Sequence, residues 1–400
     1  MSRNGLPAGR GHVRPQPQCR PPQNAFAVVF YSVCCVMRAR TAAIAYRRCS
    51  QNGLLLSSRG MPVLKYQSRP LAALGALVPE ITYVMCGAGG ETSSALLRAF
   101  PQARFIGFEP DLEEWQRLKQ NAPSRFTYLN AAVAGRNEQR KLFVTRSPEC
   151  SSLLRPNQTF FAQFKDCGPP LDVVGEKLLD VVSLDSFLPK NGVHQIDFLH
   201  LDTQGSELEI LQGARTLLSS GTVGVKTEVE FSPLYQDQPL FGDVDRFLRG
   251  LGFMLFDLTR IRCRREAFPD HALTRGQLLW GDAVYLRDYA SLVGADRKLL
   301  LFKLCLLAAY LQFHDYALQV LDYLIDGQSS DLSEDERGAL RETRRQYIAQ
   351  LKKSSLWLDL LFALEAAGLR RPIKEFGRLI SQLGDRFRKD RQMAEYNWTD

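Results

Sequence analysis

The sequence predicts an α/β fold with a mostly parallel sheet, followed by an all-α region. Between residues 80 and 288, short apolar runs that end in Gly, Asp or Glu alternate with segments of helical periodicity, as in a parallel sheet with crossover helices. After Asp288 the remaining segments show helical spacing only. The predicted organisation is an N-terminal extension at 1–60, an α/β domain at 61–290 and a helical domain at 291–400.

The runs predicted as strands each end at a turn, and most are followed by a helix. In chain order these runs are "EITYVMC", "ARFIGFE", "RFTYLNAAVA", "DVVSLDSFL", "IDFLHL", "VGVKTEVEFS", "FMLFDLTRIRC" and "GDAVYLRD". The helices predicted between them are "ETSSALLRAF", "DLEEWQRLKQN", the segment after Gly205 and "GDVDRFLRGLGF". The pattern of "DVVSLDSFL" is that of an edge segment, and the last two runs are predicted to pair as closing strands.

The C-terminal helices carry no chemistry that the sequence identifies. The run "KLLLFKLCLLAAYLQF" contains Lys303, which favours a buried or partner-facing helix over a membrane span. Four arginines at helical spacing are predicted to form a solvated helix surface, and these are Arg337, Arg341, Arg344 and Arg345. A homodimer contact or a protein partner is the predicted use of residues 291–400.

The net charge does not indicate nucleic-acid binding. The 400 residues are 45% hydrophobic and 24% charged, which is ordinary for a soluble globular protein, and their formal net charge is +8. Residues 1–60 hold nine Arg and no Lys, Asp or Glu, so about −1 is left for residues 61–400. A near-neutral folded body excludes a basic surface for polynucleotides.

The first 60 residues are rich in Pro, Gly and Arg and are not expected to bury a core. Their apolar run "AFAVVFYSVCCVM" is too short to span a bilayer, so no stable membrane insertion is predicted. Three interpretations stay open: translation that begins near Met37 or Met61, an organelle presequence, and a signal peptide or membrane anchor. The nine cysteines are irregularly spaced without C-x-x-C, which predicts reduced thiols and no structural zinc site.

Two strand ends suggest a nucleoside cofactor. Ligands of open parallel sheets bind beyond the carboxyl ends of the strands. Gly87 and Gly89 belong to a Gly-rich turn after the first run, and glycine lets the backbone approach a ligand closely. Glu109 ends the next run, where a carboxylate can accept hydrogen bonds from ribose hydroxyls. Thr92 replaces the last glycine of G-x-G-x-x-G, which disfavours a nicotinamide-dependent oxidoreductase.

A third strand end lies within "IDFLHLDTQGSELEILQGA", residues 196–214. Ser206 and Glu209 have the spacing of a capping box, which predicts a structural role for both. Asp202 and Gln204 have no such role, and a carboxylate at a buried edge costs free energy unless it has a partner or a task. These two residues are therefore predicted to be functional.

This stretch resembles the hallmark segment of the FkbM-type S-adenosylmethionine-dependent methyltransferases. The residues that match the family pattern are Asp202, Gln204, Gly205, Glu207, Leu211, Gly213 and Ala214. Further landmarks agree in order, at Gly107 to Pro110, Asn130 to Ala134, Val182 to Phe187 and Thr227 to Phe231. The resemblance covers roughly residues 80–288.

The resemblance implies a Rossmann-like class I methyltransferase fold and S-adenosylmethionine as the cofactor. It implies transfer of a methyl group to a hydroxyl of a sugar or secondary-metabolite acceptor, so the expected partner is a small molecule or glycan. The positions expected to bind the cofactor are Cys86, Gly87, Ala88, Gly89, Glu109, Pro110, Asn130, Ala131, Asp202 and Gln204. The cofactor is made in the cytosol, which favours a cytoplasmic location, with N-terminal targeting left open.

Three departures from the family pattern support a second hypothesis. Met85 stands where the family has an acidic residue, the cofactor turn is altered at Gly89 and Glu91, and His200 replaces a lysine. The lost acidic residue normally helps to hold the methionine part of the cofactor. The alternative is therefore a catalytically degenerate methyltransferase fold that acts as a binding module through its helical C-terminal domain.

An alcohol acceptor needs a general base near the methyl group. Asp202 is the first candidate by position, and His200 and Glu228 are the next. His200 precedes Asp202 by two residues on one strand, so both are expected on the same side. Ser151 and Ser152 lie in a loop that could cover the site. Metal is not expected, because no tight His, Asp and Glu spacing is visible.

Overall fold

The computed structural model describes most of the chain between residue 78 and residue 366. The described residues are 78, 80–87, 103–165, 167–267, 275–294, 296–326 and 332–366, with side chains described up to residue 352. The predicted extension at 1–60 lies outside them, and so does the segment "ETSSALLRAF".

Eleven strands are present in the described part of the chain. They are β1 (Thr82–Cys86), β2 (Arg104–Phe108), β3 (Phe126–Leu129), β4 (Ala132–Val133), β5 (Glu138–Thr145), β6 (Val173–Val182), β7 (Phe198–Leu201), β8 (Gly224–Glu230), β9 (Phe253–Leu258), β10 (Ile261–Cys263) and β11 (Gln277–Arg287).

The same residues contain nine α-helices. They are α1 (Leu112–Gln120), α2 (Gln158–Phe161), α3 (Leu184–Lys190), α4 (Glu207–Gln212), α5 (Arg215–Ser220), α6 (Phe241–Gly250), α7 (Arg297–Tyr310), α8 (His314–Ile325) and α9 (Glu334–Ala366). Helix α1 begins as its sequence predicts, because the carboxylate of Asp111 accepts hydrogen bonds from the amides of Glu113 and Glu114.

The main sheet has eight strands in the order β10-β11-β8-β7-β1-β2-β3, and β9 pairs with β11. Strands β3, β2, β1, β7 and β8 are parallel, whereas β11 is antiparallel to β8. The predicted α/β class and the closing strand pair are therefore confirmed. The strand order reverses between β1 and β7, and ligands of such sheets bind at this switch point.

Two of the runs predicted as single strands are only partly correct. The run "RFTYLNAAVA" splits, so that β3 belongs to the main sheet and β4 to a second, three-stranded sheet of order β4-β6-β5. The run "DVVSLDSFL" ends β6 and then begins helix α3. The first run changes sheet at Asn130, and the second changes from strand to helix at Ser183; apolar patterning alone shows neither change.

Helices cover both faces of the main sheet. Helices α3 to α6 pack on one face, where Leu184, Ile210, Leu217 and Val244 join a core with β1, β7 and β8. Helices α7, α8 and α9 pack on the other face, and their core includes Tyr83 of β1 and Phe198 of β7. These two rings stack with centroids 5.0 Å apart. The described C-terminal helices thus share one core with the sheet, and the boundary at residue 290 stays a prediction.

A buried ion pair joins α7 to the start of β7. The ammonium of Lys303 donates to Oδ1 of Asp197 at 2.7 Å, and the Thr82 amide donates to Oδ2 at 2.8 Å. Lys303 is 6% exposed and Asp197 is 1% exposed, so the helix is buried at this lysine as its sequence predicts. Burial raises the pKa of Asp197, and the Lys303 ammonium opposes that rise.

We expect Lys303→Met to lower the free energy of unfolding by about 3–5 kcal/mol, because it leaves a buried carboxylate without its cation. Chemical denaturation measures the change. Adding Asp197→Asn to Lys303→Met removes the orphaned charge, keeps an acceptor for Thr82 and should restore most of the loss.

The matched control is Lys141→Met, which breaks an ion pair with Glu176 whose side chains are 54% and 37% exposed. An exposed pair contributes about 1 kcal/mol or less, so the control should be nearly neutral. Equal losses from Lys303→Met and Lys141→Met would contradict the role given to the buried pair.

Candidate functional site

The carboxyl ends of β1 and β7 touch through their backbones. The Asp202 amide donates to the Cys86 carbonyl at 3.1 Å. Gly87 has φ +82°, and a Cβ there would lie 1.9 Å from the Asp202 carbonyl oxygen. Only glycine fits such an approach. The structure therefore brings Cys86, Gly87 and Asp202 together, as the strand-end argument predicts.

Glu207 organises the turn after β7. Its Oε1 accepts from the Thr203 amide at 2.8 Å and from the Thr203 hydroxyl at 2.9 Å, while its Oε2 accepts from the Gly205 amide at 2.8 Å. Burial raises the pKa of Glu207 to about 7. One buried carboxylate thus satisfies the polar groups of the turn and fixes the path of the chain beside Asp202.

The predicted capping box of Ser206 and Glu209 is wrong. The Ser206 hydroxyl is buried with no hydrogen-bond partner, and helix α4 has no side-chain cap. Glu209 instead pairs with Arg140 of β5 at 3.1 Å. The physical reason is that Glu207 accepts from the turn's amides within the turn itself, while Glu209 points towards the second sheet.

Gln204 lies between two carboxylates. Its Nε2 donates to Oδ1 of Asp202 and to Oε2 of Glu228, both at 2.9 Å. The Tyr235 hydroxyl donates to its Oε1 at 2.8 Å, which sets the orientation of the amide. The backbone of Gln204 is left-handed, with φ 59°, a conformation that costs a non-glycine residue free energy. Such strain is typical of a functional site.

The loop of Ser151 and Ser152 reaches this turn. The Ser152 hydroxyl donates to the Gln204 carbonyl at 2.6 Å, and Ser152 itself is buried. The Ser151 hydroxyl instead accepts from the Thr145 amide at 3.2 Å. Ser152 therefore braces the Gln204 backbone, and Ser151 holds its own loop.

Acidic side chains gather at the ends of β7 and β8 and at Asp282 in the middle of β11. Burial raises the pKa of Glu228 well above its ordinary value, and the charges of Asp202 and Glu230 raise it further. Burial, followed by the charge of Asp282, raises the pKa of Asp202. Lys226 places its Nζ 3.4 Å from Oδ1 of Asp282. The predicted candidates Asp202 and Glu228 thus share one acidic cluster.

His200 has a different neighbour. Its Nδ1 lies 3.2 Å from the Tyr83 hydroxyl, and the two rings meet edge to face. Burial holds the pKa of His200 well below its ordinary value, and Lys226 lowers it further. The imidazole is therefore neutral at physiological pH, and its hydrogen-bond partner is a core tyrosine on the sheet face that α7 covers.

Glu109 directly follows β2 and is 7% exposed. Its Oε1 accepts from the Asp111 amide at 2.9 Å, and burial raises its pKa to about 7. The side chain of Asn130 donates to the carbonyls of Glu109 and Pro110, at 3.0 and 3.2 Å. Asn130 and Pro110 therefore shape the loop that presents Glu109.

Three other predicted cofactor positions are less informative. Ala131 follows β3, and its amide donates to the Leu129 carbonyl at 3.0 Å. Ala88 and Gly89 lie outside the described residues. The structure therefore describes every predicted cofactor position except Ala88 and Gly89.

Residues 85–255 match the family model described as "Methyltransferase FkbM domain". These residues form an FkbM methyltransferase domain. The matched segment runs from Met85 in β1 to Leu255 in β9, so it contains Glu109, Asp202 and Glu228. The match confirms the resemblance seen in the sequence, and with it the expected methyl donor, S-adenosylmethionine.

Solved structures of methyltransferases are similar to the chain only at a low level. Precorrin-6y C5,15-methyltransferase from Geobacter metallireducens is 11% identical with a TM-score of 0.27, covering 58% of this chain and 92% of its own. Magnesium protoporphyrin IX methyltransferase from Synechocystis, solved with bound S-adenosylmethionine, is 10% identical with a TM-score of 0.27, covering 64% and 96%. Likeness at this level carries no argument about the site. No curated protein matches the chain.

The candidate site contains residues that the sequence did not reveal. Tyr235 comes from the loop after β8, and Asp282 comes from β11, which lies far away in the chain. Tyr235 follows Pro233 in a loop without periodicity, so no pattern marks it. Lys226 could have been found, because it alternates with Glu228 and Glu230 on one strand.

Two features are absent from the described residues. Within these ranges, no group of three or more His, Cys, Asp or Glu side chains is arranged to hold a metal ion. In the same part of the chain, no helix is both long and apolar enough to cross a membrane.

We expect Gly87→Ala to destabilise the domain by about 2–4 kcal/mol, because the new methyl group would meet the Asp202 carbonyl at a positive φ. Denaturant unfolding measures the loss. The matched control is Gly175→Ala in β6, where nothing lies within 4 Å of the added atom and a change within about 0.5 kcal/mol is expected. Equal stability of the two variants would refute the close approach of β1 and β7.

Proposed function

We propose that this domain transfers a methyl group from S-adenosylmethionine to a hydroxyl group of a small-molecule or glycan acceptor in the cytosol. One observation carries the proposal. The Asp202 backbone touches the glycine turn at the donor end of the sheet, while its carboxylate joins Glu228 through the Gln204 amide. The proposed donor site and the two carboxylates that could act as the general base thus meet at Asp202.

The described residues fit the donor. The lack of a side chain at Gly87 lets the turn after β1 pass directly against the Asp202 carbonyl, at the strand end where the donor is proposed to bind. Glu109 uses Oε1 for the Asp111 amide, which leaves Oε2 to accept a ribose hydroxyl. Asn130 holds the loop of Glu109 in place through two carbonyls. These residues would hold the nucleoside part of the donor.

An acceptor oxygen can attack the sulfonium methyl group of S-adenosylmethionine in line, which breaks the sulfur–methyl bond and releases S-adenosylhomocysteine. The protein must orient the acceptor and take the proton that the hydroxyl loses as the new O–C bond forms. Asp202 is the proposed base, because burial and Asp282 raise its pKa and so strengthen the carboxylate as a proton acceptor. The Gln204 amide keeps that carboxylate in position.

Glu228 and His200 are weaker candidates for the base. Glu228 accepts from the same amide as Asp202, so it can share the proton within one coupled pair. His200 is neutral, and its hydrogen bond is with Tyr83. We therefore assign the proton to Asp202, with Glu228 as its neighbour.

One observation favours the second hypothesis, a degenerate binding module that recruits a partner through residues 291–400. Met85 stands where the family has an acidic residue, and its partly buried side chain packs against the apolar core with Tyr83 and Phe198. No carboxylate is therefore available at that position to hold the methionine part of the donor. Failure of the folded chain to bind S-adenosylmethionine would favour this module.

We expect Glu109→Ala to abolish measurable binding of S-adenosylmethionine, because it removes the acceptor for the ribose. Asp202→Asn should leave binding within about threefold, since it keeps the contact with Gln204, but should reduce methyl transfer by at least about a hundredfold. Calorimetry measures binding, and transfer of a radiolabelled methyl group to a cellular extract of small molecules measures turnover.

The control for both variants is Glu176→Gln, an exposed residue on the second sheet. It should leave binding and turnover unchanged. Wild-type affinity in both Glu109→Ala and Asp202→Asn, together with undiminished transfer, would remove the basis of the site assignment.

Donor affinity should rise with pH. The pKa of Glu109 is raised to about 7, and the ionised carboxylate is the better hydrogen-bond acceptor for ribose hydroxyls. Protonation below pH 7 therefore weakens binding, by about tenfold between pH 8 and pH 6 if only the ionised form binds. Calorimetry at both pH values tests this, and Glu109→Gln should show weak binding without the pH dependence. Constant affinity in the wild-type protein would contradict the role of Glu109.

A further inference from the structure

We propose that Cys167 and Cys263 are a redox-active dithiol, which forms a reversible disulfide by exchange with a small disulfide such as oxidised glutathione. Their Sγ atoms lie 3.1 Å apart, although 96 positions separate the two residues in the chain. A disulfide bond is about 2.05 Å long, so the sulfur atoms must approach each other by only about 1 Å. The dithiol lies outside the candidate site, and this inference does not depend on the proposed methyl transfer.

The backbone next to the two cysteines is already paired. The Lys165 amide donates to the Arg264 carbonyl at 3.0 Å, and the Glu266 amide donates to the Gln163 carbonyl at 2.9 Å. These hydrogen bonds belong to a short antiparallel pairing of the two segments. Since the backbone hydrogen bonds hold the two segments side by side, the sulfur atoms can bond through small side-chain rotations.

The other cysteines in the described part of the chain are not suited to exchange. Cys86, Cys150 and Cys305 are 1%, 2% and 0% exposed, and burial raises the pKa of each thiol. A thiol must ionise and reach a disulfide in order to attack it, so these three are expected to be inert. Cys167 is partly exposed, whereas Cys263 is 8% exposed. Exchange therefore begins at Cys167.

The local sequence favours the thiolate form. Five basic residues lie within three positions of either cysteine, against the two acidic residues Asp166 and Glu266; the basic ones are Lys165, Arg260, Arg262, Arg264 and Arg265. The Arg265 guanidinium lies over the Phe164 ring, 4.6 Å from its centroid, within the paired segments. Positive charge beside a thiol stabilises its thiolate, and it also attracts an anionic disulfide such as oxidised glutathione.

The exchange takes place in two balanced steps. The Cys167 thiolate attacks one sulfur of the small disulfide, which forms a mixed disulfide and releases one small thiolate. The Cys263 thiolate then attacks the Cys167 sulfur, which forms the internal disulfide and releases the second small thiolate. The two protons lost by the cysteines go to the two released thiolates. The cysteines are oxidised by two electrons and the small disulfide is reduced to two thiols, so an excess of the small thiol reverses the reaction.

The disulfide would tether a segment that borders the candidate site. This flanking segment comprises residues 150–165. Within it the Ser152 hydroxyl donates to the Gln204 carbonyl, and Pro156 pairs with Tyr235. Both contacts are non-covalent, so the segment can open locally while Cys167 is a thiol. A bond to Cys263 at the end of β10 would restrict that opening and keep the segment against the candidate site.

The first experiment exposes the full chain to graded ratios of oxidised to reduced glutathione. Thiols are then alkylated in denaturant, and peptide mapping by mass spectrometry identifies the linkages. We expect a linked pair of peptides, Cys167 to Cys263, that has lost two hydrogens, while Cys86, Cys150 and Cys305 are alkylated. An excess of reduced glutathione should break the link. A Cys167 that stays a thiol, keeps glutathione or joins another cysteine would overturn the proposal.

Serine variants separate the roles of the two thiols. Cys263→Ser should stop at the mixed disulfide of Cys167 with glutathione. Cys167→Ser should leave Cys263 at least about tenfold slower to react than Cys167 is in the wild-type chain, because Cys263 is the more buried thiol. The control is Cys305→Ser, which keeps a donor to the Ala317 carbonyl and should form the disulfide as the wild type does. Equal reaction rates at Cys167 and Cys263 in the two variants would contradict the order of the steps.

Hydrogen exchange tests the tether. Oxidation should slow exchange at the Lys165 and Glu266 amides by at least about tenfold, because both amides take part in the pairing beside the disulfide. Cys167→Ser under the same conditions should show no such slowing. Unchanged exchange in a sample whose disulfide has been verified by mass would overturn the tether. A disulfide formed with the expected slowing would support the proposal whether or not the chain binds S-adenosylmethionine.

Discussion

A single side-chain amide, that of Gln204, holds two partly buried carboxylates side by side at the carboxyl edge of the sheet. Both N–H groups of this amide are used, one for Asp202 and one for Glu228, and Tyr235 fixes its oxygen. Without this bridge the two acidic groups would repel each other inside a poorly solvated site. The strained backbone of Gln204 and the buried carboxylate of Glu207 both serve to keep that amide in place.

The fold supplies the position for this bridge. The strand order reverses between β1 and β7, and the two strand ends approach so closely that Gly87 cannot carry a side chain. Helices α7 to α9 bury the opposite sheet face around Tyr83 and Phe198, and Lys303 anchors α7 to the beginning of β7. The end of the sheet with the buried ion pair is therefore structural, and the candidate site lies at the opposite end.

The sequence was most informative where a residue had no structural task. Asp202 stood out for that reason, and Glu109 stood out by its place after a strand; both lie where the strand-end argument predicts. The capping box was wrong because Ser206 and Glu209 have the right spacing, while Glu207 already binds the turn. Tyr235 could not be found, since its contact with Gln204 joins residues 31 apart through a loop without periodicity. Tertiary contacts of this kind leave no local pattern.

The most direct test of the account is a crystal structure of the full chain with S-adenosylhomocysteine. The account predicts that the ribose hydroxyls bind the Glu109 carboxylate and that the ligand lies against the turn at Gly87. It also predicts that the sulfur atom faces Asp202 and Glu228. A ribose bound away from Glu109, or a sulfur directed away from Asp202, would contradict the assignment of these strand ends as donor and acceptor sites.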